Sequence, residues 1–166
     1  MTRIYYDTEF LEDGHSVKLI SIGMIAEDGR QYYAVTRLSY LPPLRDEIER
    51  HPWLVENVLS HLPDWDDPVV KNRSQIRDEV RDFILATPMP ELWAWYAAYD
   101  HVALCQLFGR MIDLPDGVPM WTNDLRQECL RLGNPIMPKQ TDGEHHALAD
   151  AMHAMVMGEF LRALAK

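Results

Sequence analysis

Hydrophobic and polar positions follow strand-like patterns at the start of the chain. Residues 3–10 alternate between the two and are rich in aromatic and β-branched types, which favours a strand. Residues 17–26 are apolar almost throughout, as in a central strand that is buried on both faces. Asp28-Gly29 is a hairpin signal between that strand and residues 31–35. These patterns predict a three-stranded antiparallel meander.

Residues 38–70 break this regularity. The segment contains five prolines and one short amphipathic stretch, residues 53–62, so we expect a long excursion over the sheet or near its edge. Apolar residues then recur at helical spacing over residues 76–84, where Asn72 or Ser74 is a candidate N-cap. A helix is predicted there.

The second half of the chain alternates short apolar strands with helices. The predicted strands cover residues 91–97 and 120–122, and the predicted helices cover residues 99–111, 124–132 and 144–165. The last helix carries one predicted buried stripe, formed by Leu148, Met152, Met155 and Val156. We expect Trp93 and Trp95 in the core. The order of elements predicts a mixed α/β fold with a five-stranded sheet, an antiparallel meander plus two parallel strands, flanked by helices.

Composition and charge narrow the class of protein. Of the 166 residues, 47% are hydrophobic and 25% are charged, which are ordinary values for a single globular domain spanning residues 1–166. The net charge of −10 argues against a protein that coats nucleic acid, although bound cations can reverse the charge of a site. No apolar run is long enough to span a membrane, and no signal peptide is expected. Cys105 and Cys129 are interpreted as buried thiols of a cytoplasmic protein.

Acidic residues at three places along the chain are candidates for a metal site. Asp7 and Glu9 lie two apart on the first strand, so both carboxylates project from one face. Their mutual repulsion and loss of solvation would be relieved by a hard cation such as Mg²⁺ or Mn²⁺. Asp100 lies between a strand and a helix, where α/β sheets gather their ligands. Asp150 lies in the last predicted helix. The alternative for Asp7 and Glu9 is a solvent-facing strand end, and the alternative for Asp100 is a helix N-cap.

Two histidines precede Asp150 and are candidates for proton transfer, because imidazole titrates near neutral pH. Helical geometry favours His146, which lies four residues before Asp150 and shares its face, whereas His145 is offset by about 140°. Thr141 and Glu144 resemble a capping box that would start the helix before both histidines. A base must reach a water in the site rather than Asp150, so a position at the loop-to-helix junction also suits His145.

The joint occurrence of these residues resembles a known enzyme family. D-x-E in the first strand, Asp100 at mid-chain and H-x4-D at the opening of the last helix are similar to the DEDDh group of 3′-5′ exonucleases, which is RNase T-like. The runs DTEFLEDGHSVKLISIGMIAEDGRQYYAV and ELWAWYAAYDHVALCQLFG most resemble the actinobacterial RNase AS type, which is polyadenylate-specific. The resemblance covers residues 4–160. It implies a ribonuclease H-like fold and, since relatives are commonly dimeric, a homodimer.

The resemblance also implies an activity and its site. It implies an exoribonuclease that releases nucleoside 5′-monophosphates from the 3′ ends of single-stranded RNA and prefers adenylate, such as poly(A). Two divalent ions, Mg²⁺ or Mn²⁺, would be held by Asp7, Glu9, Asp100 and Asp150. Family spacing selects His145 as the general base. By analogy Thr8 and Phe10 contact the terminal nucleotide, with core packing as the equal alternative for Phe10.

Three other functions stay open at this point. One is a 3′-5′ exonuclease that acts on single-stranded DNA. Another is a non-catalytic nucleotide-binding module on the same fold, although the presence of all five motif residues argues against it. The last is an acidic interaction domain whose carboxylates never meet in space.

Overall fold

The computed structural model describes residues 1–165, which form six β-strands and six α-helices. The strands are β1 (Thr2–Glu12), β2 (Val17–Ala26), β3 (Gln31–Thr36), β4 (Val70–Lys71), β5 (Pro90–Ala94) and β6 (Thr122–Asp124). The helices are α1 (Leu44–Glu49), α2 (Pro52–Asn57), α3 (Arg73–Leu85), α4 (Ala98–Phe108), α5 (Leu125–Arg131) and α6 (Ala147–Leu164). None of these helices is long and apolar enough to cross a membrane.

All six strands join one mixed sheet in the order β4-β3-β2-β1-β5-β6. β1, β2 and β3 form the predicted antiparallel meander, β5 and β6 extend it in parallel beside β1, and β4 runs parallel to β3. The mixed α/β prediction is confirmed, but the sheet has six strands, not five. The additional strand β4 lies in the proline-rich excursion and has only two residues, too few to show any alternation in the sequence.

Strand β5 ends at Ala94, earlier than predicted. Trp95 to Ala97 form a turn, Tyr96 has a positive φ of 56°, and α4 begins at Ala98. The prediction was wrong here because the turn is itself apolar, so hydrophobicity does not mark the end of the strand. Asp100 consequently lies in the first turn of α4 instead of ending the strand.

Helix α6 begins at Ala147, three residues after the predicted start. His146 is the N-cap and its Nδ1 accepts a hydrogen bond from the Ala149 N–H at 3.4 Å. The expected capping box at Thr141 and Glu144 therefore does not start the helix. Both histidines precede the helix, so the argument from helical spacing does not apply to them.

The buried face of α6 also differs from the predicted stripe. It is formed by the small and apolar residues Ala147, Ala151, Ala154, Met157, Gly158 and Leu161. Met152 and Val156 of the predicted stripe are exposed. The reason is the short distance between the helix and the sheet. A Cβ on Gly23 of β2 would lie 2.2 Å from the Leu148 amide nitrogen, and one on Gly158 would lie 2.3 Å from the Tyr5 ring.

Apolar clusters cover both faces of the sheet. One cluster packs α3 and α4 against residues such as Tyr6 and Ile22, and another packs α6 against Tyr5 and Ile25. A third cluster places the excursion over Leu11. Strand β1 is therefore central and covered on both faces, which makes its charged residues exceptional.

Candidate active site

Strand β1 supplies two carboxylates to the site. Asp7 pairs with Gly23 and Glu9 pairs with Ser21 on β2, so the two acids share one face of the sheet. The pairing register shifts between Glu9 and Phe10, and such a bulge redirects the side chain that follows it. Glu9 is buried and Asp7 is half-buried.

Asp100 is tied to β1 through Thr8. Its Oδ1 accepts hydrogen bonds from the Thr8 amide at 2.9 Å and from the Thr8 hydroxyl at 2.6 Å. These bonds attach the first turn of α4 to the strand between Asp7 and Glu9. The Thr8 N–H therefore donates to Asp100 in this structure, and Asp100 is only 5% exposed.

The lead-in segment, residues 132–146 between α5 and α6, holds Asp150 in place. Its Oδ1 accepts a hydrogen bond from Gln140 Nε2 at 2.6 Å, and its Oδ2 accepts one from the His145 N–H at 2.9 Å. His145 has a φ of 66°, in the left-handed region that non-glycine residues rarely adopt. The two hydrogen bonds thus fix the lead-in segment over the carboxylate.

The structure brings the five predicted motif residues to one cavity. Ligand atoms of Glu9, His145 and Asp150 lie within 4.8 Å of one another. Asp7 and Asp100 line the same cavity of about 290 Å³, and so do Thr8 and Phe10. Carboxylate oxygens and imidazole nitrogen are ligands that divalent cations accept. The donor set therefore suits a divalent metal.

His146 does not line the cavity that holds the five motif residues. Its ring stacks on Tyr33 with centroids 4.4 Å apart, and burial lowers its pKa. Together with the cap to Ala149, these contacts give His146 a structural position at the start of α6.

The carboxylates raise one another's affinity for protons. Burial raises the pKa of Glu9 to about 7, with repulsion from Asp150 and Asp100 adding to the shift. Burial also raises the pKa of Asp100 to about 6, although the bonds from Thr8 oppose it. The pKa of Asp7 is raised well above its usual range by burial and by Asp100 and Glu9. No lysine or arginine of residues 1–165 lines this cavity, so a bound cation would relieve the repulsion.

Aromatic side chains surround the acids. Phe10 packs on the core and also stacks on Tyr99, with centroids 5.7 Å apart. The rings of Trp53 in α2 and His145 form a T-shaped pair with centroids 4.8 Å apart. Trp93 and Trp95 both pack against the core cluster beneath α6, as expected, and Trp95 also lines the cavity beside Tyr96. Trp53 was not predicted as a site residue, because its place in a short amphipathic stretch does not distinguish it from an ordinary apolar residue.

A larger cavity of about 600 Å³ adjoins the first one. The two share Asp7, Trp95, His145 and Asp150 as common walls. The larger cavity is also lined by residues 137–140 and continues along α6 as far as Met157. The sequence analysis missed this cavity because the lead-in segment has no periodic pattern.

Comparison with known proteins places these residues in a family. The family model described as the 3′-5′ exoribonuclease Rv2179c-like domain matches residues 2–161. The chain belongs to this family. It is 47% identical over 151 residues to the 3′-5′ exoribonuclease Rv2179c of Mycobacterium tuberculosis (strain ATCC 25618 / H37Rv), which covers 90% of this chain and 86% of the relative. The 3′-5′ exoribonuclease MT2234.1 of strain CDC 1551 / Oshkosh matches to the same extent.

A solved structure supports the fold. The Mg²⁺- and Mn²⁺-bound form of S. pombe Pop2p matches with a TM-score of 0.54 and 13% identity, covering 97% of this chain and 82% of that one. This likeness confirms the ribonuclease H-like fold class. The Rv2179c-like match runs from β1 into α6, so it includes all seven predicted site residues.

Proposed function

We propose that the protein is a metal-dependent 3′-5′ exoribonuclease that shortens single-stranded RNA and releases nucleoside 5′-monophosphates. The observation that carries the proposal is the convergence of buried Glu9 and Asp100 with Asp7, Asp150 and His145 on one cavity. Membership of the Rv2179c-like family supports the reaction class. An acidic interaction domain offers no reason to bury like charges together.

The metal site of this proposal consists of the carboxylates of Asp7, Glu9, Asp100 and Asp150, which would hold two Mg²⁺ or Mn²⁺ ions. The residues fit such ions because they offer oxygen ligands, and because a cation would relieve the repulsion that helps to raise the pKa values of Asp7 and Glu9. When bound, divalent ions neutralise phosphate charge and favour ionisation of water.

His145 is the proposed general base. It accepts the proton of the attacking water as the new bond to phosphorus forms and the bond to the 3′ oxygen of the preceding nucleotide breaks. The departing 3′ oxygen takes a proton from solvent, so the products are a nucleoside 5′-monophosphate and a chain with a new 3′-hydroxyl. The T-shaped contact with Trp53 orients the imidazole, and the hydrogen bond from the backbone N–H of His145 to Asp150 fixes the backbone that carries it.

Thr8 and Phe10 are proposed to contact the terminal nucleotide. Phe10 already stacks on Tyr99, and an aromatic face beside a cleft binds nucleobases by stacking. A preference for RNA requires a contact with the 2′-hydroxyl. We extend the proposal to a preference for RNA over DNA and for 3′ adenylate, on the similarity to the RNase AS type.

The same similarity supports a homodimer, which light scattering would measure. Cys105 and Cys129 are buried free thiols, which supports a location in the reducing cytoplasm.

The test is degradation of 5′-labelled single-stranded RNA in EDTA, Mg²⁺ or Mn²⁺, beside DNA of the same sequence. We expect stepwise shortening from the 3′ end and mononucleotide products only with metal. Asp100→Asn is the inactive control. Shortening of DNA alone would favour the DNA exonuclease, and binding without shortening would favour the non-catalytic module. Equal rates on oligo(A), oligo(C) and oligo(dA) would remove the adenylate preference and leave the nuclease.

A further inference from the structure

The two cavities of the site differ in their chemistry. The smaller cavity is aromatic, with Phe10, Trp53 and Tyr99 among its walls. The larger cavity carries Lys139 and His153, with the acidic Glu144 also on its wall. Among the described residues, Lys139 is the only lysine or arginine that lines either cavity. A positive charge is therefore present on one side of the carboxylates and not on the other.

Lys139 has no partner in the described part of the chain. Its side chain forms no ion pair or hydrogen bond there, whereas Lys18 pairs with Glu47 and Lys71 pairs with Glu79. Its neighbour Gln140 donates to Asp150 at 2.6 Å, so the backbone that carries Lys139 is anchored beside the site. The ammonium group is thus unpaired at the rim of a cavity that opens onto the carboxylates.

The covalent structure of RNA indicates what this cation binds. In a chain with a free 3′-hydroxyl, the terminal nucleotide carries only one phosphate, which is the one attacked. The next phosphate lies on the 5′ side of the preceding nucleotide. The aromatic cavity therefore suits the terminal nucleoside, which brings no other charge. The larger cavity suits the preceding nucleotide, whose phosphate needs a cation.

We propose that Lys139 binds the 5′-phosphate of the nucleotide that precedes the bond to be broken. This inference rests on the proposed function. Lys139 is a binding residue, because the phosphate it contacts does not react. Its contribution therefore falls on KM for substrates that carry this phosphate, with kcat little changed.

Two dinucleotides isolate the contact. ApA has only the scissile phosphate, whereas pApA adds a phosphate on the 5′ side of the preceding nucleotide. The wild-type protein is expected to prefer pApA by about 1.5- to fivefold in kcat/KM, the usual range for one exposed ion pair, through KM. Lys139→Ala should lose the preference, Lys139→Arg should keep it, and Lys71→Ala is the matched control that keeps it. Added KCl should reduce the preference.

The outcomes distinguish this inference from the proposed function. If the wild-type protein shortens a 5′-labelled oligonucleotide but treats ApA and pApA alike, the assignment of Lys139 is overturned. A preference that survives in Lys139→Ala overturns it as well. If no RNA is shortened with either metal, the proposed function fails. In that case calorimetry still tests the role of Lys139. The assignment requires that the wild-type protein binds pApA more tightly than ApA and that Lys139→Ala does not.

Discussion

The candidate active site has two halves that are held in different ways. The strand half, Asp7, Glu9 and Asp100, lies on β1 or is bonded to it through Thr8. The loop half, His145 and Asp150, lies where an irregular segment meets α6. The strand half is positioned by the order of the sheet. The loop half is positioned by contacts between the segment and its neighbours, so the two halves respond differently to substitution.

The halves also differ in how their charges are satisfied. Asp150 of the loop half accepts hydrogen bonds at both oxygens, from Gln140 and from the His145 N–H. In the strand half, burial dominates the raised pKa values of Asp7 and Glu9. Without a cation, Asp7 and Glu9 therefore bear the cost of a buried charge, and Glu9 is repelled by Asp150 of the loop half as well as by Asp100.

The largest effect is expected from removing one carboxylate. Asp7→Asn, Glu9→Gln, Asp100→Asn and Asp150→Asn should each abolish metal-dependent turnover, because each removes a proposed ligand. In thermal melts without metal, Asp7→Asn should raise the melting temperature because it removes a buried like charge. Asp150→Asn should not, because it weakens the bonds to the loop. A variant that keeps near wild-type turnover at saturating Mg²⁺ would show that the replaced residue is not a metal ligand. Equal changes of melting temperature in Asp7→Asn and Asp150→Asn would contradict the difference between the two halves.

The next effect separates the two histidines of the lead-in segment. His145→Asn should lower kcat by roughly 10²–10⁴-fold, the usual contribution of a general base, and asparagine tolerates the left-handed backbone at this position. His146→Ala should cost less than about tenfold in kcat and about 1 kcal/mol in the free energy of unfolding, because it removes an N-cap. Steady-state kinetics at one pH with saturating metal give the ranking, and the reverse ranking would assign the base to His146.

The pH dependence of stability tests the strand half. The pKa of Glu9 rises from 4.5 to about 7 in the folded protein, so between these values the folded state binds more protons than the unfolded state. The free energy of unfolding of the metal-free protein should therefore fall between about pH 5 and about pH 8, by on the order of 2–3 kcal/mol. Denaturant titrations measure this change. Glu9→Gln should reduce the fall, and a stability that rises over this range would contradict the shift.

The smallest effect concerns the support of the loop half. Trp53→Ala should lower kcat by about three- to tenfold, since an aromatic edge contact contributes about 0.5–1.5 kcal/mol. Trp65→Ala is the matched control, because Trp65 is as exposed as Trp53, 44% against 47%, but contacts Tyr40 instead of the site. In the His145→Asn background the effect of Trp53→Ala should disappear. Equal effects in both backgrounds would show that Trp53 acts elsewhere.

The strand half could be predicted because its geometry is local. A period of two places Asp7 and Glu9 on one face of a strand, and the mixed topology places Asp100 at the same edge. The loop half could not be predicted in this way. The N-cap at His146 and the left-handed backbone of His145 depend on contacts with Tyr33 and Trp53, which are distant in the sequence.

The same distinction explains the errors in the fold. Strand β4 exists only because it pairs with β3, and its two residues carry no signal of their own. The buried face of α6 was mispredicted because the prediction selected the larger apolar residues of the helix and not the small ones. A helix that packs directly on a sheet selects small residues, and hydrophobicity alone does not reveal that preference.

Gly23 connects the two halves of the site. It pairs with Asp7 on β2, and a Cβ there would lie 2.2–2.3 Å from the backbone of Ala147 and Leu148. Any side chain at this position would push the first turn of α6 away from the sheet. Asp150 and His145 would move away from β1 together with it. Substitution of Gly23 by progressively larger residues would therefore increase the distance from the carboxylates of β1 to Asp150 and His145. The reaction rate would thus depend on Gly23, a residue without a side chain that could take part in the reaction.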